Sequence, residues 1–109
     1  MLGARLYLAQ RLSAVVMAPL VLAHLAVMIY AVQGGLNAAE ILSRTQGNLW
    51  WGSFYGLFVA AVAVHAAIGL RVIVHEHLKL TGTALNAFTW VVCLALLGLG
   101  GRAVSAVVF

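Results

Sequence analysis

Charged residues are scarce in this sequence: they make up 7% of its 109 residues, against about 25% in an average soluble domain. Hydrophobic residues make up 65%, and the mean hydropathy is +1.11. Such a composition excludes a water-soluble globular protein and predicts an integral membrane protein in contact with the lipid bilayer. At this length we expect one transmembrane domain over residues 1–109.

Cysteine and proline occur only once each. The single Cys93 excludes an intrachain disulfide and a cysteine-based metal site. The sequence has no glycine-rich nucleotide motif and no His-Glu-x-x-His motif, so no residue is assigned a catalytic role. The net charge of +4 does not indicate a nucleic-acid partner, because the six basic residues are scattered, mostly at the ends of apolar runs.

Three apolar segments are long enough for a spanning helix, which needs about 20 predominantly apolar residues. They cover residues 12–32, 49–74 and 84–108, and the polar stretch 40–48 predicts a short surface helix. The apolar run after Arg5 has no small-residue cleavage site, which favours a retained helix over a signal peptide. The predicted fold class is an all-α membrane protein with three antiparallel helices in an up-down-up bundle, which a partner completes.

The basic residues also predict an orientation in the membrane. Four of them, Arg5, Arg11, Arg71 and Lys79, lie at ends of the spans that share one side, whereas the other side has two. Because loops on the cytoplasmic side carry an excess of Lys and Arg, we expect the N-terminus to be cytoplasmic in a multi-pass membrane protein.

His65 lies inside the second span, where an ionisable residue costs several kcal/mol and is a functional candidate. It is eleven residues before Glu76, which is about 16 Å along a helix axis, so we expect it near the middle of the bilayer. Small neighbours leave room for a large flat group: Ala61, Ala63, Ala66, Ala67 and Gly69. Imidazole is a common axial ligand of haem iron; a hydrogen bond to a neighbouring helix is the alternative.

His24 lies thirteen residues after Arg11, about 20 Å deeper by the same rise per residue, so we expect it at a depth comparable with that of His65. The two histidines could clamp one haem or serve two, or His24 could bond a neighbouring backbone. Arg11 and Arg71 are expected near the cytoplasmic surface. They either extend to lipid headgroups or pair with anions such as haem propionates.

His75, Glu76 and His77 follow at the predicted surface. They form either a hydrated loop or a relay for protons, because histidine titrates near neutral pH and a carboxylate can exchange protons with water. Quinone reduction consumes two protons with two electrons, so a quinone pocket here would need such groups.

Two motifs resemble the membrane anchors of succinate dehydrogenase. Residues 65–71 read His-Ala-Ala-Ile-Gly-Leu-Arg, with Glu76 eleven residues after the histidine. They resemble the haem-binding second helix of that family, which has His-x-x-x-Gly or His-x-x-x-Gly-x-Arg and an aspartate at the same distance. Residues 10–14, Gln-Arg-Leu-Ser-Ala, resemble the family's His-Arg-x-Ser-Gly or Arg-x-Ser-Ala element. The layout of three helices is similar over the whole chain.

The resemblance implies one of two membrane anchors in a succinate dehydrogenase or fumarate reductase complex, with an iron–sulfur subunit and a flavoprotein subunit as partners. It further implies that electrons pass to ubiquinone or menaquinone at the membrane surface and that a haem b lies between the two anchors. By this resemblance His65 would ligate the iron, the second axial ligand would come from the partner anchor, and Arg11 and Arg71 would lie close to the haem.

The resemblance also implies a quinone site that includes Tyr7, Arg11, Ser13, Glu76 and His77. Tyr7 stands where the larger anchor of the family has a quinone-site serine, and His77 stands where one of the anchors has a quinone-bonding tyrosine. Two other functions remain open from the residues alone. They are a haem-free structural anchor that tethers a flavoprotein complex, and a small di-haem cytochrome b module that uses both His24 and His65.

Overall fold

The structure, a computed structural model, describes residues 3–109, and within this range the chain forms helices and no strands. The helices are α1 (Ala4–Gly34), α2 (Ala38–Thr45), α3 (Leu49–Leu78) and α4 (Gly82–Val108). Of these, α1, α3 and α4 are long and apolar enough to cross a membrane. The all-α fold with three spanning helices is therefore confirmed, and so is the short helix between the first two spans.

The spanning helices extend beyond the apolar segments that predicted them. Helix α1 begins at Ala4 rather than near residue 12, and α3 continues through the polar residues up to Leu78. The 31 residues of α1 make a helix about 46 Å long, whereas the hydrocarbon core of a bilayer is about 30 Å thick. The additional turns carry polar side chains, so the sequence pattern placed them in loops.

Helix α2 and the turn that follows it donate hydrogen bonds to the last carbonyl groups of α4. The Thr45 hydroxyl donates to the carbonyl oxygen of Val107 at 2.7 Å, and the Gly47 N–H donates to that of Val108 at 2.6 Å. The last four carbonyls of a helix have no partner inside it, so these bonds close an otherwise open helix terminus. This end of the bundle is called the α2 end, and the opposite end, where α3 turns into α4, is called the turn end.

Helix α3 is central, because it packs against α1 on one side and against α4 on the other. Its buried side chains are mostly small: Ala61, Ala63, Ala67 and Ile68. Gly100 of α4 lies directly against Val59 of α3. Small residues let helix backbones approach closely within a membrane, and this close approach holds α3 and α4 together.

Gly100→Ala is expected to destabilise the protein, because an added Cβ would lie 2.5 Å from Val59 Cγ1. Overpacking of this kind costs about 1–3 kcal/mol. Thermal unfolding of the purified complex in detergent measures the effect. Gly98→Ala is the matched control on the same helix, since its Cβ meets nothing within 4 Å in this chain. Equal melting temperatures for the two variants would contradict the close approach.

Candidate functional site

His65 meets Ser13 where α3 packs on α1. His65 Nδ1 lies 3.2 Å from the Oγ of Ser13, which is buried. The Ser13 hydroxyl has one proton and donates it to the carbonyl oxygen of Gln10 at 2.9 Å. His65 must therefore donate its Nδ1–H to Ser13. In the neutral ring this arrangement places the proton on Nδ1 and the lone pair on Nε2, the nitrogen that can act as a metal ligand.

A second polar group lies beside His65 at the contact between α1 and α3. The side-chain amide of Gln10 lies near Gly69, one turn of α3 from His65; a Cβ on Gly69 would be 3.6 Å from Gln10 Nε2. Gln10 Oε1 is buried and has no hydrogen-bond partner among residues 3–109. Buried polar atoms are normally paired, so an unpaired one at the contact between α1 and α3 fits a site that a group from outside the chain completes.

Tyr7 and Arg11 form a pair one turn apart on α1. Arg11 Nε donates to the Tyr7 hydroxyl at 3.1 Å, and the guanidinium carbon lies 5.2 Å from the centre of the tyrosine ring. Both side chains are exposed. Arg11 lies about 160° round the helix from Ser13, so the pair points away from α3. The structure therefore brings Tyr7 and Arg11 together but presents them to lipid or to a partner.

His75, Glu76 and His77 occupy the last turn of α3 at the turn end. His75 Nδ1–H donates to the carbonyl of Leu80 at 2.9 Å, and His77 Nδ1–H donates to the carbonyl of Ile73 at 3.1 Å. A carbonyl only accepts, so Nδ1 carries the proton in each of these bonds, and Nε2 is the ring nitrogen that they do not use. Glu76 and His77 are exposed. Since α1 begins and α3 ends at the turn end, this group lies at the same end of the bundle as Tyr7.

Arg71 faces α4 rather than α1. Its Nη1 donates to Asn86 Oδ1 at 2.9 Å and to Thr89 Oγ1 at 3.1 Å. Arg71 is six residues after His65, which is about 120° round α3 and about 9 Å along it. The structure thus does not bring Arg71 and His65 together. Asn86 and Thr89 had no predicted role, although two polar residues in the first turns of an apolar helix are a signal that could have identified them.

A family model for the succinate dehydrogenase/fumarate reductase transmembrane subunit matches residues 1–101. The chain belongs to this family. It is a multi-pass membrane anchor subunit that associates with other subunits of a succinate dehydrogenase or fumarate reductase complex. The predicted resemblance to this family is confirmed. No curated protein and no solved structure matches the chain.

In this anchor subunit His24 does not lie at the depth of His65, so the equal depth predicted from the sequence is wrong. The His24 ring packs on Phe58, with ring centroids 5.1 Å apart, and Phe58 is about 10 Å along α3 from His65. Ser13, eleven residues before His24, is the residue opposite His65. The prediction assumed that Arg11 and Glu76 lie at the same depth, at the membrane surface. In the structure Glu76 is level with the beginning of α1, so Arg11 lies deeper than was assumed. The two histidines therefore do not clamp one haem.

The donor set of the anchor subunit fits a haem but not a separate metal ion. Between residues 3 and 109, no three His, Cys, Asp or Glu side chains come together in a metal-binding cluster. A haem iron is held by its porphyrin and needs only axial ligands from protein. One histidine per anchor with a lone pair on Nε2 is sufficient for that purpose, and among the described residues the geometry of His65 fits this requirement.

Proposed function

We propose that this anchor subunit binds haem b through His65 and helps to form the quinone site of its complex. The observation that supports this most directly is the Nδ1–H bond from His65 to Ser13, because metal-ligating histidines nearly always donate their other N–H in this way. The haem supplies a centre for one-electron transfer. The second axial ligand would come from the partner anchor subunit.

The depth of Arg11 supports a site on the outer face of α1. Ser13 is level with His65, so Arg11 lies about 13 Å below the level of Glu76 and yet is exposed. A charged side chain that faces lipid at this depth is costly. We therefore propose that a haem propionate or a quinone oxygen, held with the partner anchor, covers the guanidinium, whose planar donors suit such oxygens.

The quinone would bind towards the turn end. The Tyr7 hydroxyl accepts from Arg11 and keeps its own proton to donate to a quinone oxygen. Glu76 and His77 are exposed and can carry the two protons that accompany two electrons to ubiquinone or menaquinone. Ser13 would act on the site through His65, because its proton is already donated to Gln10.

The distribution of basic residues supports an arrangement with the N-terminus and the turn end on the cytoplasmic side of the inner membrane. The iron–sulfur and flavoprotein subunits would then bind at the turn end. In that arrangement the iron–sulfur subunit faces the proposed quinone site directly, and residues 1–109 act as one transmembrane domain.

The test is a dithionite-reduced minus oxidised absorbance spectrum of the purified complex, with haem b counted per copy of this chain. We expect one haem b per pair of anchors. Two haems per pair of anchors would instead indicate that His24 is also a haem ligand and would favour the di-haem function. The absence of haem would leave a structural anchor that tethers the peripheral subunits.

Ser13→Ala is expected to keep the complex assembled but to change the haem site, because the His65 imidazole loses the acceptor that orients it. Loss of such a partner costs about 10–100-fold in affinity or activity at metal sites. The measurements are haem affinity in a titration of the haem-depleted complex, the haem midpoint potential and the electron paramagnetic resonance spectrum. Ser13→Thr retains the hydroxyl and is the control. An unchanged spectrum and potential in Ser13→Ala would show that the bond does not position His65.

A further inference from the structure

A cleft on another face of α3 contains a charged group that points away from the proposed haem site. The cleft lies between α1, α3 and α4, has a volume of about 320 Å³, and is called the Arg71 cleft. Arg71, Asn86 and Thr89 line its polar part, and Val64, Trp90 and Cys93 line its apolar part. Arg71 and Gly69 lie about 160° apart round α3, so Arg71 points away from the contact between Gln10 and Gly69.

The positive charge of Arg71 has no carboxylate to neutralise it in the cleft. The chain has only two acidic residues, Glu40 and Glu76. Glu40 belongs to α2 at the other end of the bundle, and Glu76 lies about 140° round α3 from Arg71. The partners of Arg71 Nη1, Asn86 and Thr89, are both neutral. Arg71 is only partly exposed, so an anion would stabilise it.

Arg71 and Asn86 keep N–H groups that can donate hydrogen bonds to such an anion. A guanidinium has five N–H donors, and the bonds to Asn86 and Thr89 use only those on Nη1. Asn86 accepts through Oδ1, so its NH₂ group stays free to donate. Thr89 donates its proton to the carbonyl of Leu85 at 2.9 Å and contributes by fixing the guanidinium. Arginine with an adjacent amide suits the two free oxygens of a phosphate diester.

The polar and apolar parts of the cleft follow the depth profile of a membrane. Asn86 is four residues from the beginning of α4 at Gly82, about 6 Å along the helix, and thus near the boundary between headgroups and hydrocarbon. Cys93 lies about 10 Å deeper by the same rise. Trp90, 65% exposed at the edge of the cleft, is a residue type enriched at membrane interfaces. The occupant should therefore have an anionic head and an apolar chain.

We propose that the Arg71 cleft binds an anionic phospholipid, with the phosphate at Arg71 and Asn86 and one acyl chain along Val64, Trp90 and Cys93. A quinone has the apolar body but no charge, so it would leave the guanidinium without a counter-ion. The site is separate from the haem and quinone sites proposed above and does not depend on them.

The test uses the purified complex, depleted of lipid in a neutral detergent, with spin-labelled phosphatidylglycerol and phosphatidylcholine as probes. We expect a preference for phosphatidylglycerol of about tenfold, the order of one charge-assisted hydrogen bond. Arg71→Gln should abolish this preference, and Arg71→Lys should keep part of it, because lysine retains the charge but not the planar donors. Arg102→Gln on α4, towards the α2 end, is the control and should keep the full preference.

Three results would overturn the proposal. An equal preference in Arg71→Gln and Arg102→Gln would assign the selectivity to overall charge. Displacement of phosphatidylglycerol by a short-chain quinone, with a raised quinone KM in Arg71→Gln, would make the cleft a quinone site. A shifted haem spectrum in Arg71→Gln with unchanged lipid preference would support the propionate pairing that the sequence predicts for Arg71.

Discussion

His65→Ala is expected to remove the haem b signal from the assembled complex. The histidine is the seventeenth of the 30 residues of α3, and the bond from its Nδ1–H to Ser13 leaves Nε2 as the only ring nitrogen with a free lone pair. No other histidine is level with it, so no other imidazole of this chain can replace the ligand. The measurement is the reduced minus oxidised spectrum, together with the haem content per complex.

His24→Ala is the matched control for this experiment, since it removes the same side chain from another depth of the bundle. The His24 ring packs on Phe58 and Tyr55, so we expect a modest loss of thermal stability and an unchanged haem content. A normal six-coordinate spectrum in His65→Ala would refute the ligand assignment. Loss of haem in both variants would favour the di-haem function.

Arg11→Gln is expected to lower quinone reductase activity about tenfold or more, the cost of losing one charge-assisted hydrogen bond. Succinate oxidation with a soluble electron acceptor should stay intact, because in the proposed arrangement the dicarboxylate would bind to the peripheral subunits and not to this chain. The physical reason is the position of Arg11, deep and exposed on α1 with Tyr7 as its neighbour in this chain. Comparing the two activities on the same preparation provides the measurement.

Arg5→Gln is the control for Arg11→Gln, because it removes the same charge from an exposed position nearer the beginning of α1. It should leave both activities unchanged. If Arg11→Gln lowered succinate oxidation with the soluble acceptor to the same degree as quinone reduction, the variant would be defective in assembly. Arg11 would then have no specific role at the quinone site.

The fold could be predicted from the sequence because a bilayer sets the length of each apolar run. The same rule predicted the helix boundaries less well. Helix α1 begins at Ala4, where polar residues continue the helix past the hydrocarbon core, and hydropathy does not distinguish a polar helical turn from a loop. Asn37 and Asn48, which cap α2 and α3, are a local signal for the helix beginnings that hydropathy alone does not use.

The site could be predicted only in part, because its geometry depends on the register between helices. The position of His65 within its own helix follows from counting residues. Two other features depend on the axial position of α1 relative to α3: the contact of His65 with Ser13 and the different depth of His24. Side-chain packing between the helices determines this position, and no local sequence pattern predicts it. The direction of Arg71 likewise depends on Asn86, fifteen residues further along the chain.

The bonds from α2 to the end of α4 have a consequence for biosynthesis. Thr45 and Gly47 belong to the first loop to be translated, whereas their acceptors on Val107 and Val108 belong to the last turn of the last helix. These two hydrogen bonds can therefore form only after α4 has crossed the membrane. Folding of the connection between the first two spans is in this way coupled to insertion of α4. A nascent chain that stalls before residue 107 would lack both hydrogen bonds.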